Sequence, residues 1–138
     1  MSYDESALTQ ELMRDEGVKL KPYRCTAGKL TIGVGRNIED NGITSDEAAF
    51  MLKADIKNCE RDLDILLPGW KNFSDTRQRV LLNMVFNMGR ARLSGFAKFL
   101  ACLKMNDFTG AADQMMDSTW AKQVGQRAIR LRDMMLRG

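Results

Sequence analysis

Apolar positions recur at helical spacing along most of the chain and alternate in one short region near its start. Ala7, Leu8, Leu12 and Met13 share a helical face, which predicts a helix from about Asp4 to Asp15 that stops at Gly17. The period then drops to two. Val18-Lys19-Leu20 alternates, Pro22 and Tyr23 continue the extended run, Ala27-Gly28 supplies a turn, and Leu30 to Gly35 reads as a returning strand. A hairpin or small sheet is expected there, followed by a polar loop from Arg36 to Gly42.

Helical periodicity resumes at Thr44-Ser45-Asp46-Glu47, which has the spacing of a capping box. It opens a long helix predicted to reach about Leu66, with Ala48, Met51, Leu52, Ile56, Cys59, Leu63 and Leu66 as its apolar stripe. Cys59 lies on that stripe and reads as core packing. Pro68-Gly69 ends the helix, and Ser74 or Asp75 caps the next one, which is predicted to run to Met88 with Gly89 as its C-cap. From Val80 to Met88 this helix is apolar nearly all round, so burial on every side is expected. A further helix opens at Ser94-Gly95-Phe96, with Phe96, Phe99, Leu100 and Leu103 on one side and Cys102 inward. Another is capped by Asn106-Asp107 and turns Ala111, Ala112, Met115 and Met116 inward, and a last one starts near Gly125. The class is α+β and predominantly helical.

Composition narrows the function more by exclusion than by assertion. The 138 residues allow one domain, or two small lobes sharing a helix. A formal charge of +3, with the basic residues spread out, reads mostly as a solvated surface. No zinc-finger or aromatic RNA-binding motif accompanies it, so nucleic acid is not an expected partner. The chain has no histidine, which excludes Ser-His and Cys-His catalysis and most catalytic zinc sets. Cys25, Cys59 and Cys102 lack paired spacing, so neither a disulfide framework nor a metal site is indicated. No apolar run approaches the ~18 residues of a membrane span, and the acidic start does not resemble a signal peptide. Accumulation in the cytoplasm without stable membrane insertion is therefore expected.

The chemistry gathers between Asp15 and Gly35. Glu16 stands at the expected helix-to-strand corner, eight residues before Cys25, and Thr31 follows Cys25 after five more. A ladder around the Ala27-Gly28 turn brings Cys25 and Thr31 close together, with Glu16 facing both. A carboxylic acid opposite a second group that supplies or orients a nucleophile is what glycosidic-bond cleavage requires. For such an acid to keep its proton near neutrality, burial beside apolar groups helps. The bland alternatives are a solvated helix-end carboxylate, an inert hairpin cysteine and a β-branched strand residue.

The spacing Glu-x8-(Asp or Cys)-x5-Thr, with DEG, LKPY and TIGVG around it, resembles the signature of the phage-type lysozymes, the endolysin muramidases. LLNMVFNMG, Ser118-Thr119-Trp120 and Arg127-Ala128 extend the likeness over nearly the whole chain. The resemblance implies a lysozyme-like fold: a small hairpin lobe at about 17–45, a linking helix at about 45–66, and a helical lobe at about 68–138 to which the N-terminal helix belongs. It implies Glu16, Cys25 and Thr31 as catalytic residues, Phe86, Asn87, Gln114 and Asn37 as substrate-binding residues, and Arg127 as the arginine held against the acid. Trp120 reads as core rather than as a sugar platform.

The family likeness further implies no metal or cofactor, peptidoglycan as substrate, and cleavage of the β-1,4 bond between N-acetylmuramic acid and N-acetylglucosamine. A monomer released to the wall through a holin during host lysis is expected. Arg36, where relatives carry histidine, and a shorter following loop depart from the pattern, so a trimmed small lobe is expected. With Cys25 in place of aspartate, two routes stay open: Cys25 and Thr31 activate a water with inversion, or Cys25 forms a covalent thioether with retention. Nearby Lys19, Lys21, Arg24 and Lys29 could lower the thiol pKa. A virion-associated lysozyme, a lytic transglycosylase and a catalytically silent wall-binding domain are the alternative functions.

Overall fold

The computed structural model describes residues 2–138 and divides into two compact units, Met1–Phe50 and Met51–Gly138. Among the described residues it holds eight α-helices and a single three-stranded sheet, the α+β, mainly helical class expected from the sequence.

The first unit opens with α1 (Glu5–Glu16). Asp4 stands outside it as the N-cap, its carboxylate accepting from the Ala7 amide, which shifts the helix one residue from the expected start. Gly17, at φ 75°, closes the helix by donating to the Met13 carbonyl. Glu5–Glu16 falls in the first unit with the sheet, and Leu8, Leu12 and Met13 are exposed.

The strands β1 (Lys19–Arg24), β2 (Leu30–Gly33) and β3 (Arg36–Asn37) form an antiparallel sheet in that order. The β1–β2 register slips between Lys19 and Tyr23, the interval that contains Pro22, which has no N–H to give the ladder. The connecting turn is closed by Cys25 N–H to the Lys29 carbonyl (3.0 Å) and Gly28 N–H to the Cys25 carbonyl (2.8 Å). The expected polar loop at 36–42 instead contains β3 and the single-turn α2 (Ile38–Asn41). A two-residue strand is too short to show alternation, which is why the pattern missed it.

The capping box is present as read: Thr44 Oγ1 accepts from the Glu47 amide, and the Glu47 carboxylate accepts from the Thr44 amide. It opens α3 (Ser45–Leu66), which runs through the division between the units. Of its stripe only Cys59 and Leu63 are buried. Trp70, in a 3-10 turn (Trp70–Asn72) after Pro68-Gly69, is buried and donates to Asp64 (2.8 Å).

The rest of the second unit is α4 (Asp75–Ser94), α5 (Ala97–Lys104), α6 (Phe108–Met116), α7 (Thr119–Val124) and α8 (Gln126–Arg137). Ser74 caps α4 by accepting from the Arg77 amide, and the helix breaks at Gly89 (φ 82°), where its end was expected. Ser94 and Gly95 close α4 rather than opening α5, and Cys102 is only partly buried. Val80, Leu81, Met84 and Val85 of α4 pack with Leu63, Phe99, Leu103, Met115 and Met135 in the core. Burial on every side of α4 was expected; instead Asn83, Phe86, Asn87 and Arg90 form an exposed face. Two asparagines one helical turn apart were the sequence trace of that face.

Candidate active site

The end of α1, the hairpin turn and the second strand each place one part of the candidate site in the first unit. Glu16 is the last residue of α1, fixed there by the Gly17 stop. It is exposed, so the expected shielding of the acid by apolar neighbours is not present. Its carboxylate lies against Gly35, in the bend between β2 and β3: a Cβ on Gly35 would stand 2.8 Å from Glu16 Oε2.

Thr31 faces Tyr23 on one side and Asn37 on the other, and is 3% exposed. Its hydroxyl donates to the Lys29 carbonyl (2.9 Å) and also reaches the Cys25 sulfur. That hydroxyl has a single proton, so a thiolate at Cys25 competes with the Lys29 carbonyl for it. Sequence spacing anticipated this Cys25–Thr31 proximity.

The Cys25 thiol is lowered from its ordinary value, first by the Lys29 backbone amide, then by the Ala27 amide, against a smaller opposing effect of burial. The Thr31 hydroxyl adds to the lowering. The expectation that lysine and arginine side chains supply this effect is corrected. The turn itself aims N–H dipoles at the sulfur, as anion-binding loops do. Cys59, by contrast, is pushed up by burial and by Asp62 and Asp55. Alkylation by iodoacetamide, followed by peptide mass spectrometry across pH, is expected to modify Cys25 below the ordinary thiol range (about 8.5) while native Cys59 stays protected. A Cys25 that titrates at or above that range contradicts the turn's effect.

Asn37 is occupied differently from the expectation. Its Oδ1 accepts from the Asp40 amide (3.0 Å) and its Nδ2 donates to the Asp40 carboxylate (3.0 Å), which makes it the N-cap of α2. Arg36, read as either a surface arginine or a family departure, pairs with Glu47, the capping-box carboxylate. Arg36 and the Thr44 amide together hold the Glu47 carboxyl down to about 2.

The remaining predicted residues lie in the second unit. Phe86 is 46% exposed and lines an apolar groove of about 380 Å³ with Leu52, Ile56, Leu82, Asn83 and Arg127. Arg127 Nε and Nη2 both donate to Asn83 Oδ1 (2.9 and 2.7 Å), tying α8 to α4. Asn83, the partner of Arg127, was not singled out by sequence reasoning. Gln114 lines a second cavity of about 560 Å³ with Arg92, Lys98, Phe96 and Trp120. Trp120 is fully buried, as read, and its indole N–H donates to Asn87 Oδ1 (2.8 Å). No cluster of three or more metal-ligating side chains occurs among the described residues, and no helix of the structure is long and apolar enough to cross a membrane.

The first unit carries a carboxylate at the end of α1 and a thiol and a hydroxyl on its small sheet, and the second is helical with a polar stripe on α4, the α+β make-up expected of a lysozyme-like protein. Comparison with known proteins reaches the same class. The profile of the family described as Phage lysozyme matches residues 13–134. The chain is similar to the pre-baseplate central spike protein Gp5 of Enterobacteria phage T4, at 30% identity over 96% of this chain. It spans only 28% of that protein's length. It is also similar to an endolysin of Acyrthosiphon pisum secondary endosymbiont phage 1 (33% identity; 84% of this chain, 80% of the other). A probable T4-type lysozyme 2 of Dictyostelium discoideum is 28% identical over 91% of each. The chain belongs to the phage lysozyme family and is by that membership a glycoside hydrolase.

Proposed function

We propose that the protein hydrolyses the β-1,4 bond between N-acetylmuramic acid and N-acetylglucosamine in bacterial peptidoglycan. Glu16 protonates the departing oxygen, and Cys25 with Thr31 binds and activates the attacking water. The observation that carries this reading is the paired Cys25–Thr31 contact in a turn whose amides favour a thiolate. A lowered thiol has the base strength that a carboxylate supplies in relatives with aspartate. Phe86, Asn87 and Gln114 bind the saccharide, and Asn83 fixes the Arg127 guanidinium beside Phe86 on the helical unit. Asn37 contacts the saccharide from the N-cap of α2.

The enzyme acts as a monomeric endolysin, reaching the wall through a holin lesion at the end of infection. Similarity to phage endolysins supports this role. A second reading, wall opening by a virion component, is favoured by the likeness to a spike protein over nearly the whole chain. Mass spectrometry of purified peptidoglycan after digestion tests the reaction. Reducing N-acetylmuramic ends are expected; 1,6-anhydro ends would identify a lytic transglycosylase and overturn hydrolysis. Digestion products are expected without added metal or cofactor.

A further inference from the structure

We infer that Gly35 is a positioning residue for the acid: its missing side chain lets the β2–β3 bend form one wall of the Glu16 carboxylate. This rests on Glu16 being the proton donor. A Cβ at Gly35 would lie 2.8 Å from Glu16 Oε2, 3.2 Å from its Cδ and 3.4 Å from its Cγ. The first distance is shorter than atoms tolerate, so a residue with any side chain here displaces the carboxylate. Glu16 is exposed at the end of α1, and the displaced group has solvent to swing into. The molecule therefore gives way at the acid and not in the backbone.

The wall itself is fixed. The next residue, Arg36, pairs with Glu47, and the Glu47 carboxylate also accepts from the Thr44 amide at the start of α3 (2.8 Å). On its other side the bend is held by the pairing of Ile32 with Arg36 and of Thr31 with Asn37. A bend anchored at both ends gives the Glu16 carboxylate a fixed wall on one side, and a general acid depends on its placement.

The structure supplies its own control. Gly33 has nearly the same left-handed backbone (φ 69° against 66° at Gly35), yet a Cβ there meets nothing within 4 Å. Gly33→Ala and Gly35→Ala each place an alanine at a positive φ, and only the second strikes the acid. Kinetics on soluble peptidoglycan fragments, with thermal unfolding of each variant, is the test. Gly35→Ala is expected to lose about 10- to 100-fold in kcat with KM and Tm close to those of Gly33→Ala, which keeps near wild-type kcat. Equal kcat in the two variants, or a loss in Gly35→Ala confined to KM, overturns the inference. Glu16→Gln, run alongside, separates the failures: its inactivity upholds the acid assignment whatever Gly35→Ala does, and its activity removes the assignment on which the inference rests.

Discussion

Glu16→Gln is expected to leave no measurable clearing of outer-membrane-permeabilised Gram-negative cells, a loss of at least about 100- to 10,000-fold in turnover. The substitution keeps the shape of the side chain and removes the only proton that it can deliver. Stability is expected to move by less than ~0.5 kcal/mol, since Glu16 is exposed and the α1 terminus is set by Gly17. Turbidity and thermal unfolding, measured together, separate a chemical loss from a folding one. A cleared suspension with Glu16→Gln removes Glu16 from the mechanism.

The second large effect is at position 25. Cys25→Ser is expected to lose about 100-fold or more, while Cys25→Asp stays within about tenfold of wild type in the same assay. Serine accepts the same amide contacts from the turn but does not ionise in any accessible pH range, so it orients a water without activating it. Aspartate restores an ionised group facing Thr31. Wild-type clearing by Cys25→Ser would make Cys25 a structural residue of the hairpin and leave the water to Thr31. The Lys29 and Ala27 amides are the largest causes lowering the Cys25 thiol, so removing nearby cationic side chains should matter little.

Much of this arrangement was legible before any coordinates, and for definite reasons. Backbone signals with strong local physics came through: the Thr44/Glu47 capping box, the stop at Gly17 and the break at Gly89 all stand where the residues placed them. Cys25 and Thr31 were expected close together because a tight turn keeps the residues flanking it near one another.

What the sequence hid was tertiary. The short α7 and the two-residue β3 are too brief to carry a period. The α4 helix looked uniformly apolar because Phe86 counts as apolar in any pattern, although it is 46% exposed beside Asn83 and Asn87. The acid's neighbour in space, Gly35, is far from it in sequence and carries no side chain to draw notice. The source of the lowering at Cys25 was misassigned for a related reason. Composition displays side-chain charges, while the amides that lower this thiol are backbone groups common to every residue.

The claim that Cys25 and Thr31 direct a water, rather than Cys25 attacking the sugar itself, is tested most directly by the configuration of the first product. Proton NMR of a soluble peptidoglycan fragment during the first turnovers, before mutarotation, reads the new anomeric centre of N-acetylmuramic acid. Direct attack by water predicts the inverted, α-configured end. A first product with the retained β configuration would mean a covalent thioether on Cys25 and would contradict the account.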